Sequence, residues 1–308
     1  MNGAGRRRAA ASHFPSARSL APAAALLLIA AATLGACNVS MERVTRLDQR
    51  TFDIAAGAQA NLTVDTFNGH ITVTAMAQAT ADVSVTAVGT GASKDIAQSA
   101  LDSVNVAITQ NGATLSVAAT ASGDGPPGGG RGADVDITLP PNVALTLTSS
   151  NGRIEATNVN GFVHARTSNG EIVTRAGRDL DLETSNGAIT MSQPAGTIVA
   201  HTSNAAVDIL NADSVVADVV SSNGPISLSG SLGAGDQHFQ TSNGSLDLRL
   251  PPAQGFSITA QTINGAVRTD FPGVAVNGTS VSGTTGDGSA RITAETSNGA
   301  ISVTRLTP

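Results

Sequence analysis

The chain has 308 residues, with 33 Gly, 7 Phe, no Trp, no Tyr and a formal charge of −6. So few aromatic rings exclude a thick globular core, which normally draws much of its buried area from them. An apolar share of 41% equally excludes a disordered chain, so a thin core of small aliphatic side chains is required.

At the start, Arg6, Arg7, Arg8 and Arg18 precede an apolar run from Leu20 to Thr33, and the first acidic residue is Glu42. The run is shorter than the ~20 residues of a membrane-spanning helix, which predicts an export leader over residues 1–36. It ends in Leu34-Gly35-Ala36-Cys37, which resembles the lipobox of bacterial lipoproteins. That resemblance implies signal-peptidase recognition at Leu34, Gly35 and Ala36, and a membrane anchor of diacylglycerol on Cys37. Cys37 is the only cysteine, so the chain has no internal disulfide. Asn38 follows where inner-membrane retention in enteric bacteria uses Asp, which favours an outer-membrane address in the cell envelope. Without residues 1–36 the chain keeps 13 basic and 23 acidic residues, a net of −10. An acidic surface without stacking rings is unsuited to nucleic acid.

Residues 37–50 read as a tether. Residues 51–140 read as a β-rich cap segment. Within it, Thr66-Phe67-Asn68-Gly69 with Ile71 and Val73 forms a degenerate corner. Lys94 to Val104 has the helical spacing of Ile96, Ala97, Ala100, Leu101 and Val104, and Val104–Val117 reads as a strand pair around Asn111-Gly112. A Gly/Pro-rich loop follows over residues 122–132.

Residues 141–308 repeat. Asn151, Asn169, Asn186, Asn204, Asn223, Asn243, Asn264 and Asn298 each stand in a Thr/Ser-Ser-Asn-Gly corner or a close copy, at spacings of 18, 17, 18, 19, 20, 21 and 34. Three residues after each Asn the side chain is aliphatic, and four before it is apolar, with polar residues between. That is strict alternation on both sides of the corner, hence two strands with one face buried. An antiparallel hairpin meander or sandwich fits this pattern, because Asn-Gly is a strong hairpin signal. A β-solenoid-like stack of ~18–20-residue coils fits it better, because the residues before Asn-Gly also repeat, as expected where rungs lie in register. Eight rungs at ~4.8 Å make a rod of roughly 38 Å. The expected fold is therefore all-β, with the irregular, helix-bearing segment as N-terminal cap. The last corner lies close to Pro308, which predicts an uncovered C-terminal edge able to self-associate.

From residue 51 onward the chain resembles the bacterial putative-adhesin domains, a class of domains of unknown function. The likeness is carried by corners such as Thr167-Ser168-Asn169-Gly170, Thr184-Ser185-Asn186-Gly187 and Thr296-Ser297-Asn298-Gly299. It implies adhesion and brings no catalytic residue, metal ligand or cofactor.

Candidate chemistry lies among the outward residues. In a stack, His164 would neighbour Asp181, and Arg166, Glu183 and His201 would follow one another. A metal or acid–base group could be drawn from His164, Asp181, Glu183 and His201, but a solvated ladder of alternating charge explains them more simply. Asp208 and Asp247 resemble the surface acids of polysaccharide-cleaving β-helix enzymes, without the rings on which sugars rest. Gly129-Gly130-Arg131-Gly132-Ala133-Asp134 opens like a calcium-binding nonapeptide, but Asp136 stands where that motif needs an aliphatic residue. The expected function is a non-catalytic, lipid-anchored envelope scaffold or adhesin with a protein or glycan partner. The alternatives are an envelope glycan-processing enzyme and a partner of an envelope-stress regulatory system.

Overall fold

The computed structural model of the protein describes residues 26–30, 41–54 and 60–307. It is a β-solenoid. Strands that enter the Asn-Gly corner stack into one sheet, B, and strands that leave it stack into a facing sheet, A.

Sheet B begins with β6 (Val104–Asn111), β7 (Thr114–Ala121), β3 (Asn61–Thr66) and β9 (Ala144–Ser149). It continues through β11 (Val163–Thr167), β13 (Arg178–Thr184), β15 (Ala195–Thr202) and β16 (Val207–Ser221). It closes with β18 (Gly235–Thr241), β24 (Ala290–Thr296), β20 (Phe256–Thr262), β23 (Ser280–Thr285) and β22 (Val274–Asn277).

Sheet A begins with β1 (Leu26–Ala30), β2 (Glu42–Asp53), β5 (Thr80–Gly91), β8 (Gly130–Leu139) and β4 (Ile71–Ala75). It continues through β10 (Ile154–Thr157), β12 (Ile172–Arg175), β14 (Ile189–Ser192) and the first residues of β16. It closes with β17 (Ile226–Leu232), β19 (Leu246–Leu250), β25 (Ile301–Arg305) and β21 (Val267–Thr269). Pairing is parallel through the middle of both sheets, which settles the solenoid against the meander.

The alternation read from sequence points its aliphatic side inward. Ile154, Ile172, Ile189, Val207, Ile226 and Leu246 form one fully buried column in sheet A. In sheet B, Leu147, Ala165, Leu182, Ala200, Val219, Phe239, Ala294 and Ala260 form another, with large and small residues interleaved along the axis. Described core residues run from Val44 to Val303 as one cluster. The exception in the pattern, Gln237, is 1% exposed. Its amide accepts from the Ala217 N–H at 2.8 Å and donates to the Gly233 carbonyl at 2.9 Å, so burial leaves it satisfied.

Boundaries near the start and stacking order near the end both differ from the sequence reading. The tether expected over 37–50 is folded from Glu42 onward, because β2 pairs with β5 along its whole length. Residues 26–30, inside the expected leader, pair antiparallel with Arg43–Leu47. The second difference concerns stacking order. The 34-residue interval before Asn298 is not a doubled coil: it holds β21, β22 and β23 before β24 returns between β18 and β20. Chain order and stacking order therefore part at the end, and the rung of Asn264 is outermost. The C-terminal strand β25 is flanked on both sides, by β19 and β21, so it is not the open edge expected from its place in the chain.

Antiparallel strands finish both sheets at the N-terminal end and sheet B at the distal end. At the N-terminal end, α1 (Lys94–Asp102) lies across β5 and buries Ala97, Ala100 and Leu101. Its N-cap hydroxyl, Ser93 Oγ, accepts from the Ile96 N–H. At the other end Phe271 caps the core, edge-on to Phe256 with centroids 4.9 Å apart.

Candidate functional site

The corner is built from three columns of side chains or their absence. First comes a buried hydroxyl: Ser149, Thr167, Thr184, Thr202, Ser221, Thr241, Thr262 and Thr296 are each at most 6% exposed. Thr184 Oγ1 shows the pattern: it accepts from the Gly187 N–H at 3.2 Å and donates to the Gly170 carbonyl of the neighbouring rung at 3.1 Å. The hydroxyl thus closes its own turn and ties it to the next.

Second comes the exposed Asn. Each amide donates to the Oδ1 of the adjacent rung: Asn169 to Asn151 at 2.6 Å, Asn186 to Asn169 and Asn204 to Asn186 at 2.7 Å, and Asn223 to Asn204 at 2.9 Å. The series continues from Asn243 to Asn223 and from Asn298 to Asn243 at 2.8 Å, then from Asn264 to Asn298 at 2.9 Å. Asn151 in turn donates to Asn68, so the degenerate corner is a full rung of the ladder. All eight Asn residues named from sequence lie in this one row. At ~4.8 Å per rung the nine amides extend about 38 Å.

Third comes glycine, needed here because another backbone lies too close. A Cβ on Gly170 would sit 1.8 Å from the Gly152 carbonyl oxygen, and one on Gly187 would sit 1.7 Å from that of Gly170. Only the Asn204 rung departs, with Ala205.

A second corner, at the far end of sheet A strands β10, β12, β14 and the first part of β16, was not legible in the sequence. Non-glycine residues there adopt left-handed backbone: Asn158 (φ 60°), Ala176 (51°) with Asp179 (52°), Gln193 (53°), and Asn211 (55°) with Ser214 (54°). Gly196 (φ 75°) takes the place of Asp179 beside Gln193. The shared feature is a left-handed residue directly after the paired stretch of the strand, carried by Asn on two rungs and by Ala176 and Gln193 on the others, with a second left-handed residue three positions later on the last three rungs.

The outer face of sheet B holds the candidate chemical residues. His164 Nδ1 lies 2.9 Å from Asp181, and Arg166 lies 2.8 Å from Glu183. His201 is in register with Glu183, but the structure places no bond between their side chains. On the next rungs His238 Nδ1 lies 2.9 Å from Asp218. These are cross-strand pairs on adjacent rungs, spread along the face. Among the described residues no three His, Cys, Asp or Glu side chains converge as metal ligands. Asp208 accepts from Ser227, and Asp247 pairs with Arg249 at 2.7 Å, so these acids are engaged on sheet A. Asp236 meets Arg291 at 2.5 Å across the β18–β24 join, and this hydrogen bond and charge hold the Asp236 carboxyl below its ordinary value. The nonapeptide-like run lies mainly in β8, where Asp134 accepts from the His70 N–H at 3.1 Å and Gly130–Gly132 pair with β5. That strand pairing leaves no coiled calcium turn.

The expected anchor site, Cys37 with Leu34, Gly35 and Ala36, lies outside the described residues. No helix among the described residues is long and apolar enough to cross a membrane.

The profile of the family described as Toastrack DUF4097 matches residues 59–304. No curated protein matches the chain. Among solved structures it is similar to a "putative cell adhesion protein" of Clostridium sporogenes, at 11% identity and a TM-score of 0.30, covering 84% of this chain and 100% of that one. It is also similar to a "putative adhesin" of Bacteroides fragilis, at 10% identity and 0.32, covering 84% and 97%. A third, a "putative adhesin" of Parabacteroides distasonis, gives 10% and 0.36 with the same coverage.

Proposed function

Since the chain belongs to the Toastrack DUF4097 family, we propose that it is a non-catalytic, adhesin-like scaffold of the cell envelope, held by a lipid on Cys37 and recognising partners through its polar faces. One observation carries the reading. Titratable side chains form cross-strand pairs along flat sheet faces, such as His164 with Asp181 and Arg166 with Glu183, while the space between the sheets is filled by aliphatic groups. A hydrolytic site needs acids and bases converging on one substrate atom, with water excluded around it. Faces of this kind instead offer many weak, evenly spaced polar contacts, suited to a protein or glycan surface.

The leader over 1–36 and the Cys37 anchor form the address half of the proposal. Labelled palmitate is expected on the wild type and absent from Cys37→Ser, and membrane fractionation is expected to place the wild type in the outer membrane. Peptidoglycan or polysaccharide turnover that disappears in Asp181→Ala would replace this reading with the enzymatic one.

A further inference from the structure

We propose that the distal, C-terminal end of the solenoid is a homophilic docking surface, at which β22 of one copy pairs antiparallel with β22 of a second copy on an apposed membrane. This rests on the anchored-scaffold reading, because an anchor at Cys37 puts the N-terminal cap near the bilayer and the Asn264 rung farthest from it.

The two ends of sheet B are finished differently. At the N-terminal end the outer strand is β6, and two of its carbonyls are occupied by side-chain donors. Arg46 donates to Val104 O at 2.8 Å and Arg50 to Ile108 O at 3.0 Å, so two guanidinium groups block the edge. Charged groups of this kind are a usual guard against edge-to-edge pairing. At the distal end the outer strand is β22, with β23 as its single strand partner among the described residues. No Asp, Glu, Lys or Arg occurs between Val274 and Thr285, the whole hairpin.

Apolar side chains gather at that same end. Val276 is 46% exposed and Ile263 is 67% exposed. Ile263 occupies the place that Ser holds in Ser150, Ser168, Ser185, Ser203, Ser222, Ser242 and Ser297. The Thr262 N–H donates to Thr279 O in the hairpin turn, which brings Ile263 next to the β22–β23 unit. Val276 lies opposite the buried Val281.

Charge selects the occupant. From residue 37 the chain carries a net of −10, so two copies repel one another at long range. The uncharged hairpin is where like copies can meet without opposing carboxylates. An antiparallel β22 pair is also self-complementary about a two-fold axis, as a symmetric contact requires.

The test uses the chain from Cys37 onward, coupled through its single thiol to maleimide lipids in two differently labelled populations of phosphatidylcholine vesicles. Coupling this way does not depend on native acylation, so a failed anchor reading cannot mimic a failed docking reading. Vesicles are expected to cluster, by light scattering and energy transfer between labels, only when both populations carry wild-type protein. Clustering is expected to fall at least tenfold with Val276→Lys. It should fall several-fold with Ile263→Ser, which restores the residue of the other corners and keeps the fold, as checked by its melting curve. Absence of wild-type clustering, clustering with bare vesicles, or clustering unchanged in folded Val276→Lys and Ile263→Ser would each overturn the proposal.

Discussion

Each coil of the solenoid bends twice, and the two bends solve the same problem by different means. At the Asn-Gly corner, side-chain chemistry holds the backbone: a buried hydroxyl closes the turn, an amide links it to its neighbours, and glycine lets the carbonyl of the next rung approach. At the far corner the backbone itself bends through left-handed residues such as Ala176 and Gln193, whose side chains contribute nothing common. The first solution demands the same residue types on every rung. The second demands only a dihedral angle, and an L residue meets it at a cost of ~1–2 kcal/mol.

This difference governs what the sequence discloses. The Asn spacings and the aliphatic columns could be read directly, and they specify a stack in register. Thr184 and its equivalents also repeat visibly, but their burial shows only once the neighbouring rung's carbonyl is in place. Asn158, Ala176, Gln193 and Asn211 share a position, but only the two Asn share chemistry, so the letters mark that corner too weakly to be read. The return of β24 between β18 and β20 was hidden for a related reason. Its corner, Thr296-Ser297-Asn298-Gly299, is chemically the same as the others, so the pattern reveals that it is a rung but not which rungs flank it. The outward His164–Asp181 neighbourhood was legible because register alone fixes it.

The sharpest break between the corners should come from a methyl group. Gly170→Ala places a Cβ 1.8 Å from a backbone oxygen, and a loss of about 3–5 kcal/mol is expected in urea unfolding, comparable to severe overpacking. Ala205→Gly, at the rung that already tolerates a methyl, should change stability by less than ~1 kcal/mol.

Removing the buried hydroxyl should cost less. Thr184→Val leaves the Gly187 N–H and the Gly170 carbonyl without their shared partner, for about 1–3 kcal/mol in the same measurement, and Thr184→Ser should restore most of it. The far corner should respond in the opposite direction. Ala176→Gly and Gln193→Gly relieve left-handed strain, and each is expected to stabilise by ~0.5–1 kcal/mol after the glycine entropy cost. A destabilising result would mean those angles are not strained, and the contrast between the corners would weaken.

The smallest effect concerns pH. Arg291→Gln removes the partner that depresses the Asp236 carboxyl. A depressed folded-state value stabilises above the unfolded value, and the contribution is lost as pH falls through the folded one. The gap between wild type and Arg291→Gln in melting temperature should therefore be present at neutral pH and shrink in acid, below the ordinary carboxylate value of 3.8.

The stacking order itself can be tested by cysteine cross-linking in a chain beginning at residue 38, which contains no native thiol. Adjacent rungs lie ~4.8 Å apart, within disulfide reach, and rungs two apart do not. Asn243→Cys with Asn298→Cys is predicted to form a disulfide rapidly under mild oxidation, although 55 residues separate them. Asn243→Cys with Asn264→Cys, neighbours in the corner series, should remain reduced. The reverse outcome, with 243 joined to 264 and not to 298, would contradict the in-register stack with its inserted last rung.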